Sequence, residues 1–182
     1  MTISDILVQA VGYAGMAMYI VSYQIKSNRI FFFIQTAASL MFVIQFVLLG
    51  AISGCINLSI CILRNILMLK YNDWAWVRWR GWVVIFVGAL AVVTALTWAG
   101  PISILSFTGA ASGTIGVMSN NAQKIRAAYL GCCCPSWLIY DAIIGSWGGV
   151  CNEIITIVSI LISIKRYGWR EMGDPNSDFQ TK

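Results

Sequence analysis

Gly50–Ala51–Ile52–Ser53–Gly54–Cys55–Ile56–Asn57 decides how this chain is read, because a related stretch stands 95 positions later. There the chain runs Gly145–Ser146–Trp147–Gly148–Gly149–Val150–Cys151–Asn152. Glycine, glycine and asparagine keep the same spacing in both. The same offset pairs Ile30 with Ile125, Ile60 with Ile155, Ile62 with Ile157 and Lys70 with Lys165. It also sets Arg29 on Lys124 and Phe42 on Trp137. Together these matches predict a helical unit written twice, an arrangement common among solute carriers of membranes.

Composition says in which solvent the units fold. Hydrophobic residues make up 59% of the chain and charged residues 10%, well under the roughly 25% charged residues of soluble domains. Mean hydropathy is +0.77. The chain is therefore read as an all-α membrane protein. The N-terminal MTISDILVQA lacks the basic start of a cleavable signal peptide, so the first apolar run is expected to stay as a helix. A net charge of +5 does not imply nucleic acid. Its largest cluster, Lys70 to Arg80, interleaves Lys70, Arg78 and Arg80 with Trp74, Trp76 and Trp79, as helix ends do at the headgroup level. Cys132, Cys133 and Cys134 lie in an apolar run without basic or histidine company, so packing is expected of them rather than metal or redox chemistry. No metal and no cofactor is expected.

Seven apolar spans can be drawn, at about residues 6–23, 30–49, 52–69, 81–98, 102–118, 125–144 and 150–164. Basic residues follow the first, third, fifth and seventh, while the turns 50–54, 99–101 and 145–149 hold none. The positive-inside rule places the N-terminus outside and the C-terminus inside. A three-helix unit repeated in parallel orientation needs one intervening crossing, and the fourth span has no counterpart at the 95-residue offset. The expected organisation is a first three-helix repeat over 5–70, a cytoplasmic aromatic and basic connection with linker helix over 71–99, a second repeat over 100–168, and a polar, mobile tail over 169–182.

Candidate site residues follow from intramembrane polarity. Asn57 and Asn152 occupy equivalent turns of the third and seventh helices, and a carboxamide offers two donors and two acceptor sites. Asn152, Thr156, Ser159 and Ser163 fall on one helical stripe, matched by Asn57, Cys61, Arg64 and Met68. Both stripes are expected to face the axis relating the units, where Asn57, Asn152, Arg64 and Thr156 would meet a substrate. Ionisable residues within spans are functional candidates by default. Arg64 suits an anionic group, and Glu153 and Asp141 are candidates for proton coupling. Trp137 and Tyr140 can wall a ring-shaped solute. Pro135 interrupts the sixth span and is a candidate hinge.

Gly12–Tyr13–Ala14–Gly15, Ser22–Tyr23–Gln24–Ile25–Lys26 and Arg64–Asn65 resemble the YgjV family of bacterial inner-membrane proteins. The three-plus-one-plus-three pattern with paired asparagines is similar to the wider PQ-loop superfamily, which includes the SWEET sugar facilitators. That resemblance implies substrate contact by Asn57 and Asn152 and a hinge at Gln24. Tyr23–Gln24 stands where that superfamily has Pro–Gln, and Ser119–Asn120–Asn121 stands in the second repeat. The expectation is a multi-pass carrier of a small polar solute in the bacterial inner membrane, working by alternating access, passive or proton-coupled. The alternative is a non-transporting receptor or accessory subunit, and an enzyme is not expected. The expected partners are the solute and the lipid bilayer, with a homo-oligomer left open and no nucleic acid.

Overall fold

In the computed structural model, which describes residues 3–23, 28–71 and 73–173, two left-handed glycines reverse the chain in the same way. Gly50 has φ +68° and Gly145 φ +76°. Each follows a helix, and each is succeeded by an N–H that bonds back five residues: Ala51 to the Phe46 carbonyl and Ser146 to the Asp141 carbonyl, both at 2.9 Å. Ile52 and Trp147 then donate to the Gly50 and Gly145 carbonyls, and Cys55 and Val150 to those of Ala51 and Ser146. This left-handed cap satisfies carbonyls at a helix end while the next helix begins. Glycine takes that conformation without the Cβ penalty. The repeated sequence is thus a repeated turn, with these three backbone bonds in common.

Among the described residues seven long helices result: α1 Ile3–Tyr23, α2 Asn28–Leu48, α3 Ile52–Leu69, α4 Gly81–Leu96, α5 Ile102–Met118, α6 Ala122–Ile144 and α7 Trp147–Tyr167. No strand occurs among the described residues. Four helices are long and apolar enough to cross a membrane by length and composition: Ile30–Leu48, Ile52–Leu69, Ala122–Ile144 and Trp147–Tyr167. The other three carry shorter apolar stretches, Ile6–Ser22, Gly81–Leu96 and Ile102–Met118.

Packing joins the helices into a ring. α2 lies against α1 and α3, and α6 lies against α5 and α7. The ring closes where α3 meets α5 and where α1 meets α7, while α4 packs outside on α3 and α5. Small residues allow the close crossings. A Cβ on Gly148 of α7 would stand 2.6 Å from the carbonyl carbon of Gly12 on α1, so only glycine lets these backbones meet. Aromatic rings occupy matched notches: Phe42 lies against Gly15, and Trp137 lies against Gly109.

Polarity is partitioned inside out. Gln35, Gln45, Asn57, Arg64, Asn65 and Thr114 are buried, whereas Phe33, Val84 and Leu96 are exposed, the last by 80%. Such a surface suits hydrocarbon, where apolar side chains cost nothing outside and polar ones bond between helices. Hydroxyls are largely satisfied within their own helix, as when Thr36 bonds the Phe32 carbonyl and Thr114 that of Ala110.

Three local expectations differ from the structure. α6 and α7 begin three residues before the spans drawn from hydropathy, because Asn121 and Ser146 cap them by accepting from the Lys124 and Gly149 N–H groups. The supposed loop at Gly148–Gly149 is the first turn of α7. Within α6, Pro135 follows a π turn at Tyr129–Cys133. Proline has no N–H and crowds the carbonyl four residues back, and the wider turn accommodates both. Finally, the chain after α7 is not a free tail throughout. It forms a short turn at Glu171–Gly173 with Met172 buried, and the Asn121 amide donates to the Gly173 carbonyl at 3.3 Å. Gln24 lies outside the described residues.

Candidate functional site

A cavity of about 70 Å³ lies inside the six-helix ring. From α3 it is lined by Leu58, Cys61 and Arg64, from α6 by Tyr129, Cys133, Trp137 and Asp141, and from α7 by Gly149, Asn152 and Glu153. Its remaining walls include Tyr19 of α1, Gln35 of α2 and Ala110 of α5. A second recess, about 420 Å³, opens at the glycine-turn end between the α2–α3 and α4–α5 connections. Three aromatics in mutual contact separate the two spaces, Phe46 stacked on Trp137 and Tyr140 edge-on to both. Phe46 and Trp137 line the inner cavity and Tyr140 lines the recess. Their ring centroids lie 5.5 to 6.0 Å apart.

The ionisable side chains meet the cavity with different partners. Arg64 is 4% exposed. Its Nε and Nη2 donate to Asn65 Oδ1 at 3.1 and 2.8 Å, and its Nη1 donates to Thr114 Oγ1 at 3.0 Å. Both acceptors are neutral, and a guanidinium has five N–H donors, so two are not used in these bonds. Glu153 Oε1 accepts from Asn152 Nδ2 at 3.1 Å. Asp141 is 3% exposed and is pressed against Gly149, where a Cβ would collide with Oδ2.

Three buried polar atoms have no hydrogen-bond partner among the described residues: Gln35 Nε2, Asp141 Oδ1 and Asn152 Oδ1. All three belong to residues that line the inner cavity. Buried polar atoms are nearly always bonded in native proteins, and leaving one bare costs about 1–3 kcal/mol. Two of these atoms are acceptors and one a donor.

Of the residues the sequence singles out, Arg64, Trp137, Asp141, Asn152 and Glu153 come together on this cavity. Asn57 does not line it. Its Nδ2 donates to Thr94 Oγ1 at 3.0 Å and to Ser106 Oγ at 3.1 Å, and Thr94 returns a bond to Oδ1 at 3.2 Å. It ties α3 to α4 and α5. Thr156 is buried outside the lining, and Tyr140 accepts from the Gly54 N–H at the start of α3 at 2.9 Å. Pro135 stands beside the π turn, away from the cavity wall. Gln35, Tyr19 and Cys61 join the lining without having been marked as site residues. Gln35 carried a readable signal, a carboxamide within an apolar run. The 95-residue offset hides it, because its counterpart is Leu130.

A family described as bacterial inner membrane protein, Imp-YgjV, matches residues 6–171, nearly the whole chain. The chain belongs to this YgjV family. It is therefore a multi-pass protein of the bacterial inner membrane, in keeping with its apolar helices. No curated protein and no solved structure matches it. For this YgjV protein the chemistry must be argued from the cavity itself.

Proposed function

We propose that this protein is a carrier of a small polar solute, binding it in the cavity of the six-helix ring and releasing it by alternating access. The observation that carries this role is that Gln35 Nε2, Asp141 Oδ1 and Asn152 Oδ1, all unpartnered among the described residues, belong to residues lining one cavity. The fold supports it. α1–α3 and α5–α7 pack in the same pattern, α3 meets α5 as α7 meets α1, and α4 stands outside the ring. That is the pattern of two parallel repeats joined by a linker helix, and carriers of this kind hold solute between their repeats. In this role all seven helices cross the membrane. Lys70, Arg78 and Arg80 follow α3, Lys124 and Arg126 follow α5, and Lys165 and Arg166 stand in the last turn of α7, so the basic end faces the cytoplasm and the glycine turns face outward. Phe46, Trp137 and Tyr140 close the outward path, and Tyr140 links that closure to α3.

Transport is passive or proton-coupled, with Glu153 and Asp141 as the groups able to carry the proton. The test is flux in proteoliposomes containing only the purified protein. Osmotic swelling in sugars, amino acids, nucleosides and organic acids reads uptake without a label. At least one solute class should enter faster than into empty liposomes, and Asn152→Ala should reduce that rate tenfold or more. No flux of any class, with stable co-purification of another membrane protein, would instead support a receptor or accessory subunit. If a pH gradient accelerates uptake in the unaltered protein but not in Glu153→Gln, the carrier is proton-coupled through that residue.

A further inference from the structure

The polar groups of the cavity are sorted along its length. Measured from the glycine-turn end, Asp141 lies three residues from the end of α6 and Asn152 five from the start of α7, depths of about 5 and 8 Å at 1.5 Å per residue. Arg64 lies twelve residues into α3 and Gln35 thirteen from the end of α2, at about 18 and 20 Å. The unpartnered atoms follow the same order. Asp141 Oδ1 and Asn152 Oδ1, at the shallow level, are acceptors, while Gln35 Nε2, at the deep level, is a donor and is joined there by the free donors of Arg64. Leu58 of α3 and Phe42 of α2 stand at about 9 Å, level with Glu153 of α7, which adds a second carboxyl group toward the shallow end, while Ser39 and Cys61 line the cavity at about 14 Å.

We infer that the cavity takes a small zwitterion, an ω-amino acid with its ammonium toward Asp141 and Asn152 and its carboxylate toward Arg64 and Gln35. An ammonium has three donors and no acceptor, so it satisfies both orphan oxygens at once. Trp137 lies one turn from Asp141 on α6 and also lines the cavity, and an indole face attracts a cation. A carboxylate is the complementary guest for guanidinium and carboxamide donors. Leu58 and Phe42 give a short methylene chain apolar contact between the two ends. The two ends differ in level by about 10 Å of backbone rise. Side chains reaching inward shorten the gap, which favours charges separated by several carbons over the single carbon of glycine. The inference rests on the carrier role above in taking this cavity as the ligand site.

The experiment is calorimetric titration of the purified protein in nanodiscs with glycine, β-alanine, γ-aminobutyrate and 5-aminopentanoate. Butylamine and butyrate serve as one-ended probes and glucose as an uncharged one. A longer ω-amino acid should bind at least tenfold tighter than either one-ended probe and tighter than glycine. Arg64→Gln should remove that advantage while leaving butylamine unchanged, and Asp141→Asn should weaken butylamine while leaving butyrate unchanged. Arg64→Lys, which keeps the charge, should retain part of the preference. The length series on the unaltered protein stands whether or not the variants fold. Binding of no zwitterion more tightly than butylamine, butyrate or glucose overturns the inference, as does equal weakening of both one-ended probes by both substitutions. Glucose flux without zwitterion binding sinks the ligand class and leaves the carrier, whereas zwitterion binding without flux does the reverse.

Discussion

Asn57 and Asn152 are the same residue at the same point of two matching turns, yet they do different things. Asn152 presents a bare carbonyl oxygen to the cavity and gives its amide to Glu153. Asn57 is fully buried and spends its carboxamide on Thr94 and Ser106. The difference comes from α4. That helix packs behind α3 and brings Thr94 to Asn57, while no eighth helix stands behind α7 among the described residues. One position on, the asymmetry is chemical as well: Leu58 and Glu153 are counterparts, and both line the cavity. In the proposed carrier, α4 makes Asn57 structural and leaves Asn152 to meet solute.

The largest effect should come from exchanging the small residues that follow the two turns. Gly148 and Ser53 are counterparts. Gly148→Ser places a Cβ against the Gly12 backbone, and overpacking of that kind costs about 1–3 kcal/mol. Ser53→Gly should cost under about 1 kcal/mol, the scale of a helical glycine. Unfolding of each variant in mixed micelles reads the contrast. Equal losses would mean that the α1–α7 crossing is no closer than its α3–α5 counterpart.

The asparagines themselves give the next contrast. Asn152→Ala should lower uptake tenfold or more, about 1.4 kcal/mol in rate, with little change in stability, because it also removes an unpartnered oxygen. Asn57→Ala should do the opposite. It strands the Thr94 hydroxyl and removes the bond to Ser106, which keeps its own bond to the Ser103 carbonyl, a loss of about 1–2 kcal/mol, while uptake per folded molecule stays within about twofold of the parent. Flux and unfolding measured on the same preparations decide it, and a flux defect in Asn57→Ala without instability would break the comparison.

The sequence shows the turns plainly because a left-handed glycine and a helix cap are local devices. It shows Arg64 and Glu153 as charges within apolar runs for the same reason. What Asn57 does is not local. It depends on Thr94, 37 residues away on a helix outside the repeat, and no periodicity of α3 carries that information. The stripe through Asn57 meets the wall at Cys61 and Arg64, but at the outer turn the wall is formed by Leu58 rather than Asn57. Gln35 shows the converse. It is legible as an intramembrane carboxamide, yet comparison between repeats passes over whatever only one repeat possesses. Met172 was hidden in a polar tail, where a lone apolar side chain says nothing about what it will find.

The smallest effect concerns the turns. Gly50→Ala and Gly145→Ala each force a Cβ into a left-handed conformation, costing about 1–2 kcal/mol per residue. Neither glycine has neighbours that a methyl would strike, so the backbone penalty acts alone. The surroundings differ, however. The Gly145 carbonyl accepts from Gln9 at 2.9 Å, and Ser146 donates to Gln45 at 3.0 Å, which ties this turn to α1 and α2. The turn at Gly50 has its tie deeper, through Gly54 and Tyr140. Any shift of the α6–α7 turn therefore strains two side-chain bonds at once, and Gly145→Ala should cost a few tenths of a kcal/mol more than Gly50→Ala. Adding Gln9→Ala to both should erase much of that excess. A double-mutant cycle on unfolding free energies measures it, and an excess that survives without Gln9 would mean that the two turns differ within their own backbones.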